Sequence, residues 1–187
     1  MVKTRAASND GSNYNMNTQW TARRVLVLSL FILGFVGCDQ TAKTIARSSL
    51  AGANPISFLS DAIRLEYAEN HGAFLSIGST LPEDVRGLLF IGFVGLALVV
   101  SFWVAVRTHH EQQLQVWGLA LITAGGFGNL LDRLLNNGAV VDFISIGVAG
   151  LRTGIFNLAD IAVTTGFFAL VVHTFKQMRN DHSGNLS

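Results

Sequence analysis

Residues 153–175 read TGIFNLADIAVTTGFFALVVHTF, and across that stretch Asp160 is the only charged side chain. A run of this length is enough to cross a bilayer as one helix. A carboxylate inside it costs roughly 2.5–3.5 kcal/mol at the centre of a span and less near an end, so it marks a functional position by default and needs a partner. Just upstream, residues 138–152 (GAVVDFISIGVAGLR) carry a second aspartate, Asp142, in an alternating run rich in β-branched residues. The connection from there to Asn157 is long enough to fold Asp142 back over the start of the last span. Asp142 is therefore the partner expected for Asp160.

The composition agrees with a membrane chain. Of 187 residues, 50% are hydrophobic and only 13% charged, with a mean hydropathy of +0.42. That is the length of one domain with too little charge for an ordinary soluble surface. A net charge of +1 gives no reason to expect a nucleic-acid partner. The single cysteine, Cys38, excludes an intrachain disulfide. The sequence has no zinc-type Cys/His spacing and no glycine-rich phosphate loop, and two of its five histidines, His109 and His110, are simply adjacent. Neither a metal nor a cofactor is expected.

Three more apolar runs lie upstream. Residues 1–22 are rich in Asn, Ser and Thr and read as a disordered tail. Arg23 and Arg24 then introduce the run 25–38, which extends to a span over 20–42 if its ends lie in the interface. Residues 44–84 are mixed: Ile63, Leu65 and Tyr67 alternate with Arg64 and Glu66 as in a half-exposed strand, Asn70-His71-Gly72 is turn chemistry, and 73–77 is a candidate return strand. Thr80-Leu81-Pro82-Glu83 has the pattern of a capping box opening the second span, 87–106, which Arg107 closes. After the polar link RTHHE, the third span covers 112–131 and ends at Asp132-Arg133. Its small residues Ala120, Ala124 and Gly128 recur every four positions, as do Ala162 and Gly166 in the fourth span, about 155–175, a spacing that lets helix backbones approach in lipid. Residues 180–187 form a flexible tail. Arg23, Arg24, Arg107, Lys176 and Arg179 flank the spans closely on one side, which places both termini in the cytoplasm and both aspartates on the outer side.

Polar residues gather at that outer end. Asn157, Asp160 and Thr164 share a face of the fourth helix, Gly125, Asn129 and Arg133 (with Asp132 nearby) a face of the third, and Asp39 and Lys43 lie four apart at the end of the first. Lipid would penalise these faces unless they meet one another. Two carboxylates that meet in a low-dielectric site cannot both ionise readily and share a proton. One can then take a proton from water while the other donates to a carbonyl oxygen. Such a pair titrates jointly. Other readings are open on spacing alone: an intramembrane aspartate paired for structure or ion passage, Asp39–Lys43 as a structural ion pair, Asn129 and Asn157 as backbone partners, Arg133 as a snorkelling residue, and Asn70 and Gly72 as plain turn residues.

Five blocks occur in order: Asp39-Gln40-Thr41-Ala42-Lys43, Asn70-His71-Gly72-Ala73-Phe74, the run GGFGNLLDR at 125–133, Val140-Val141-Asp142-Phe143 and Phe156-Asn157-Leu158-Ala159-Asp160. Together they resemble the signature blocks of the bacterial lipoprotein signal peptidases (signal peptidase II), over roughly residues 25–175. Ala124 and Cys38 depart from the usual residues of those blocks, at positions away from the aspartates. The resemblance implies a membrane all-α four-helix transmembrane bundle with a small extracytoplasmic β-platform and a short outer helix or loop, its peptidase domain covering residues 23–179. It further implies an inner-membrane aspartic endopeptidase that cleaves diacylglyceryl-modified prolipoproteins before the lipidated cysteine. Asp142 and Asp160 would be the catalytic pair; Asn129, Arg133 and Asn157 would position substrate or the pair, Asn70 and Gly72 would lie on the flap side, and Asp39 and Lys43 would support the site. The expected partners are those prolipoproteins and membrane lipid, and the expected state is a monomer.

Two rival functions remain at this stage. One is a non-enzymatic transporter or channel using the aspartates as relays. The other is a lipoprotein precursor, because Arg23-Arg24, the apolar run and Phe35-Val36-Gly37-Cys38 are similar to a signal peptide ending in a lipobox.

Overall fold

The computed structural model describes residues 10–72, 80–109, 112–148 and 151–184. Four helices are long and apolar enough to cross a membrane: Trp20–Leu50, Leu88–Arg107, Gln113–Leu135 and Leu158–Asn180. The chain order is α1 (Asp10–Leu50), β1 (Ile56–Phe58), β2 (Ile63–Asn70), α2 (Glu83–Gly87), a π-helical stretch (Leu88–Phe93), α3 (Val94–Arg107), α4 (Gln113–Leu135), β3 (Val140–Val148), β4 (Leu151–Arg152) and α5 (Leu158–Gly184). The chain is therefore a multi-pass bundle of four spans with one small sheet.

Helix α1 is longer at both ends than the expected span. It reaches back to Asp10, into the stretch read as a disordered tail, and α5 likewise runs on to Gly184 beyond the expected boundary at 179. Neither extension contains a proline, and adding a residue to an existing helix is far cheaper than nucleating one. At its other end α1 continues past Lys43 because it has a surface to bury: Ala46 and Leu50 pack with Phe143, flanked by Leu65, Ile144 and Leu158. The helix stops at Gly52, whose φ of +74° suits glycine.

The expected capping box at Thr80 does not form. Pro82 is the residue before α2, and no side chain caps that helix. The second span starts as α2, widens into the π-helical stretch and continues as α3 without a break in direction between caps.

The sheet is antiparallel in the order β1-β2-β3-β4. The alternating run at 63–67 does form a strand, β2, which pairs with β1 on one side and on the other with β3, from the other outer segment, with Ala68 opposite Asp142 and Asn70 opposite Val140. The return strand expected at 73–77 lies outside the described residues.

The α4–α5 contact also differs in detail from the expected small-residue stripe. A Cβ on Gly125 would stand 2.3 Å from the Ala159 carbonyl oxygen, and one on Gly166 2.5 Å from that of Gly118. These helices touch backbone to backbone through Gly118 and Gly125, not through the Ala120–Ala124–Gly128 row. Ala120 instead packs with Leu28 of α1 and Ala105 of α3, while a Cβ on Gly128 would meet Asp39 Oδ2 at 2.7 Å. The row faces α1, and this is what lets a carboxylate come so close to α4.

Candidate active site

The start of α5 sets the geometry. Asn157 precedes the helix and Asp160 lies in its first turn, and they cap each other: Asp160 N donates to Asn157 Oδ1 (3.0 Å) and Asn157 N to Asp160 Oδ2 (3.2 Å). The adjacent Ala159 N donates to Asp39 Oδ1 of α1 at 3.1 Å. Asp160 is therefore an N-terminal acid, favoured by the helix dipole, and not a charge stranded at mid-span. Its other oxygen, Oδ1, accepts from Asn129 Nδ2 of α4 at 2.9 Å.

Asp142 projects from β3 and is buried, 2% exposed. Asn157 Nδ2 donates to its Oδ1 at 2.6 Å and Asn70 Nδ2, at the end of β2, to its Oδ2 at 3.0 Å. One amide side chain, Asn157, thus touches Asp142 and caps Asp160. Burial pushes the Asp142 carboxyl up to about 6, with the nearby Asp160 charge acting in the same direction, while the two asparagine donors pull it back.

A second pair of aspartates is treated differently. Lys43 Nζ lies 2.8 Å from Asp39 Oδ2 and 3.0 Å from Asp132 Oδ2, and donates to Asn129 Oδ1 at 3.0 Å. The one ammonium is thus surrounded by two carboxylates and an amide oxygen. Asp132 also accepts from Gln40 Nε2 (2.8 Å) and from Val141 N (3.0 Å), which ties α4 to the residue next to Asp142. Among the described residues, no salt bridge reaches Asp142 or Asp160.

Arg133 completes the enclosure. Its Nη2 donates to the Gly72 carbonyl (2.6 Å), its Nη1 to the Asn129 carbonyl (3.3 Å), and its guanidinium lies 5.2 Å from the Phe90 ring of the π-helical stretch. Gly72 N donates to Asn70 Oδ1 (2.9 Å), so the Asn70-His71-Gly72 turn is fixed at both ends. At 9% exposure Arg133 does not snorkel.

All nine residues singled out in the sequence, Asp39, Lys43, Asn70, Gly72, Asn129, Arg133, Asp142, Asn157 and Asp160, therefore belong to one connected network. Thr164 does not join it; it is exposed on α5. The sequence places Asp132 near this polar face without a role, and does not single out Gln40 or Phe90 as members. For Asp132 a signal existed: it is the next step of the every-four row Ala120–Ala124–Gly128. For Phe90, one of many aromatic residues in an apolar run, there was none.

Four spans, a sheet across one end and, between them, three buried aspartates with the half-buried Asp160 define a multi-pass membrane protein with an acidic site. Residues 31–176 match the family model of signal peptidase (SPase) II. The chain belongs to that family, and hence to the peptidases. Its relatives include the lipoprotein signal peptidases of Desulforapulum autotrophicum (30% identical over 158 residues, 84% of this chain and 94% of that one) and Borrelia duttonii (30% over 162 residues, 84% and 93%). That of Treponema pallidum is 32% identical over 159 residues, 80% of this chain and 84% of the relative. The fold is shared with a bacterial membrane enzyme solved by the in meso method at 2.3 Å, with a TM-score of 0.70 at 24% identity over 82% of this chain and 90% of that one. A second such structure, at 1.9 Å, gives the same score at 23% identity. Nothing in these likenesses supports a transporter, and Cys38 lies within the unbroken helix α1.

Proposed function

We propose that this lipoprotein signal peptidase relative is an aspartic endopeptidase in which Asp142 and Asp160 activate the water and protonate the scissile carbonyl. The observation that carries the reading is the unequal treatment of four aspartates at one end of the bundle, three of them buried and Asp160 half-buried. Lys43 is ion-paired with both Asp39 and Asp132, whereas Asp142 and Asp160 are bonded only by amide donors. Two acids without a cation, coupled through Asn157, keep one proton between them. The ionised member draws a proton from water as the oxygen attacks the peptide carbonyl; the neutral member gives its proton to the carbonyl oxygen. Collapse of the tetrahedral intermediate returns that proton and protonates the leaving nitrogen.

The substrate is a prolipoprotein cut before its lipid-modified cysteine. Its signal helix enters from the bilayer between the spans, with the diacylglyceryl chains left in lipid. The Asn70-His71-Gly72 turn, held by Arg133, offers main-chain groups against an extended segment beside Asp142. The close basic flanks at Arg23, Arg24, Arg107, Lys176 and Arg179 support cytoplasmic termini in the inner membrane and a site facing the periplasm. One chain carries every site residue, which supports a monomer.

The test is cleavage of a purified lipidated prolipoprotein. Asp142→Asn and Asp160→Asn should each lower kcat by at least about a thousandfold while the protein stays inserted, and EDTA should leave the wild-type rate unchanged. Wild-type processing by either variant would remove the assignment.

A further inference from the structure

The opposite end of the bundle holds a cavity that the reaction does not use. It has a volume of about 640 Å³ and lies between the starts of α1 and α4 and the end of α3. Along α1, Arg24 is about 22 Å from Asp39 at 1.5 Å per residue, so this cavity and the aspartates sit near the two bilayer boundaries. Its lining includes Arg23, Arg24, Arg107 and His109. Among the described residues, no carboxylate lines it and none of its arginines is in a salt bridge. Arg24 is committed to structure, donating to the Val106 and Thr108 carbonyls at the end of α3. Arg23 and Arg107 are exposed at the rim.

All three tryptophans of the chain surround this place. Trp20 and Trp117 line the cavity, and Trp103 carries the Arg107 guanidinium over its ring at 5.9 Å. Tryptophan concentrates at the headgroup level of a bilayer. A guanidinium fork matches phosphate oxygens two at a time. Below the rim, the cavity walls at Val27 and Val106 lead onto exposed apolar side chains of α1 and α3, such as Leu26, Leu30 and Val99.

We propose that this cavity binds the phosphate of an anionic phospholipid headgroup between Arg23 and Arg107, with the acyl chains lying along α1 and α3. The lipid would join α1 to α3 at the end where the described polar bonds between them are the two from Arg24. Soluble phosphate shares the headgroup chemistry but would gain nothing from the tryptophans or the apolar walls. The inference does not depend on which residues cut the substrate.

The experiment is native mass spectrometry of full-length protein taken from nanodiscs containing equal phosphatidylglycerol and phosphatidylcholine. Wild type should retain phosphatidylglycerol selectively, and Arg23→Gln/Arg107→Gln should lose about thirtyfold in that retention, the effect of two arginines at a lipid surface. Lys176→Gln/Arg179→Gln, which removes two cations from the same side but away from the cavity, should retain it as wild type does. Arg23→Lys/Arg107→Lys keeps the charge and should fall in between. An equal loss in the Lys176/Arg179 variant would show a general basic surface and overturn the site, as would unchanged retention in the Arg23/Arg107 variant. Inorganic phosphate displacing the lipid as well as dihexanoyl phosphatidylglycerol does would overturn the lipid reading. Prolipoprotein cleavage by the Arg23/Arg107 variant in phosphatidylcholine should match wild type, so that a failure here and a failure of the catalytic pair are told apart.

Discussion

Two aspartates on one small sheet are driven in opposite directions. Asp61, in the turn before β2, accepts from Ser57 Oγ at 2.6 Å and from Arg64, and Arg152 reaches it from β4 at 2.8 Å. The serine donor first, and then the Arg64 bond, hold its carboxyl down at about 2. Asp142, on β3, faces the helix ends, has no cation bonded to it, and is pushed up to about 6 by burial. Each is well supplied with hydrogen bonds. What separates them is chiefly burial: near solvent the serine and guanidinium donors prevail and keep Asp61 ionised, whereas in a dry site desolvation outweighs the amide donors and leaves Asp142 able to hold a proton.

The sharpest way to break this contrast is to remove the cation that separates the buried aspartates into two kinds. Lys43→Met leaves Asp39 and Asp132 uncompensated and should cost about 3–5 kcal/mol, read as a loss of unfolding free energy in detergent micelles. Undiminished stability would mean that Lys43 is not their counter-charge. Next, Asn157→Ala removes the amide that joins the proposed catalytic pair, and kcat should fall about a hundredfold, more than KM changes.

The pH profile sharpens the comparison with smaller effects. A proton held at Asp142 is lost as pH rises through about 6, so kcat/KM should decline along an alkaline limb belonging to the coupled pair. The Asn70 donor lowers that carboxyl, so Asn70→Ala should move the limb upward. A downward move would contradict the role given to the amide. For stability the signs are opposite: Asp142, raised in the folded state, makes the protein less stable as pH climbs from about 4 to 6, whereas the lowered Asp61 contributes stability above about 4 that is lost as pH falls towards 2. The smallest effect should come from Asp61→Asn, which should leave prolipoprotein cleavage at the wild-type rate because none of its partners, Ser57, Arg64 and Arg152, bonds to Asp142 or Asp160 among the described residues.

The spans were legible because twenty-residue apolar runs bounded by charge admit few other readings. The polar faces of α1, α4 and α5 were legible because lipid forces such faces together. The ends were not. A helix boundary depends on what it can pack against, and nothing local to Ala46 or Leu50 announces Phe143, nearly a hundred residues later. The β2–β3 pairing was hidden for the same reason: Ala68 and Asp142 are neighbours only after two spans have crossed between them. Asp132 was legible as a neighbour of the polar face, but its bonds to Lys43, Gln40 and Val141 were not, because those partners lie on other elements, α1 and β3.

That pairing also orders the birth of the molecule. Strand β2 leaves the ribosome ahead of the second and third spans, and its partner follows only when both are in place. Asn157 and Asp160 come later still, at the start of the final span. A partly made chain therefore holds β1 and β2 without β3, and Asp142 without Asp160. If the proposed pair is the cutting centre, it is finished only by the last helix to enter the membrane.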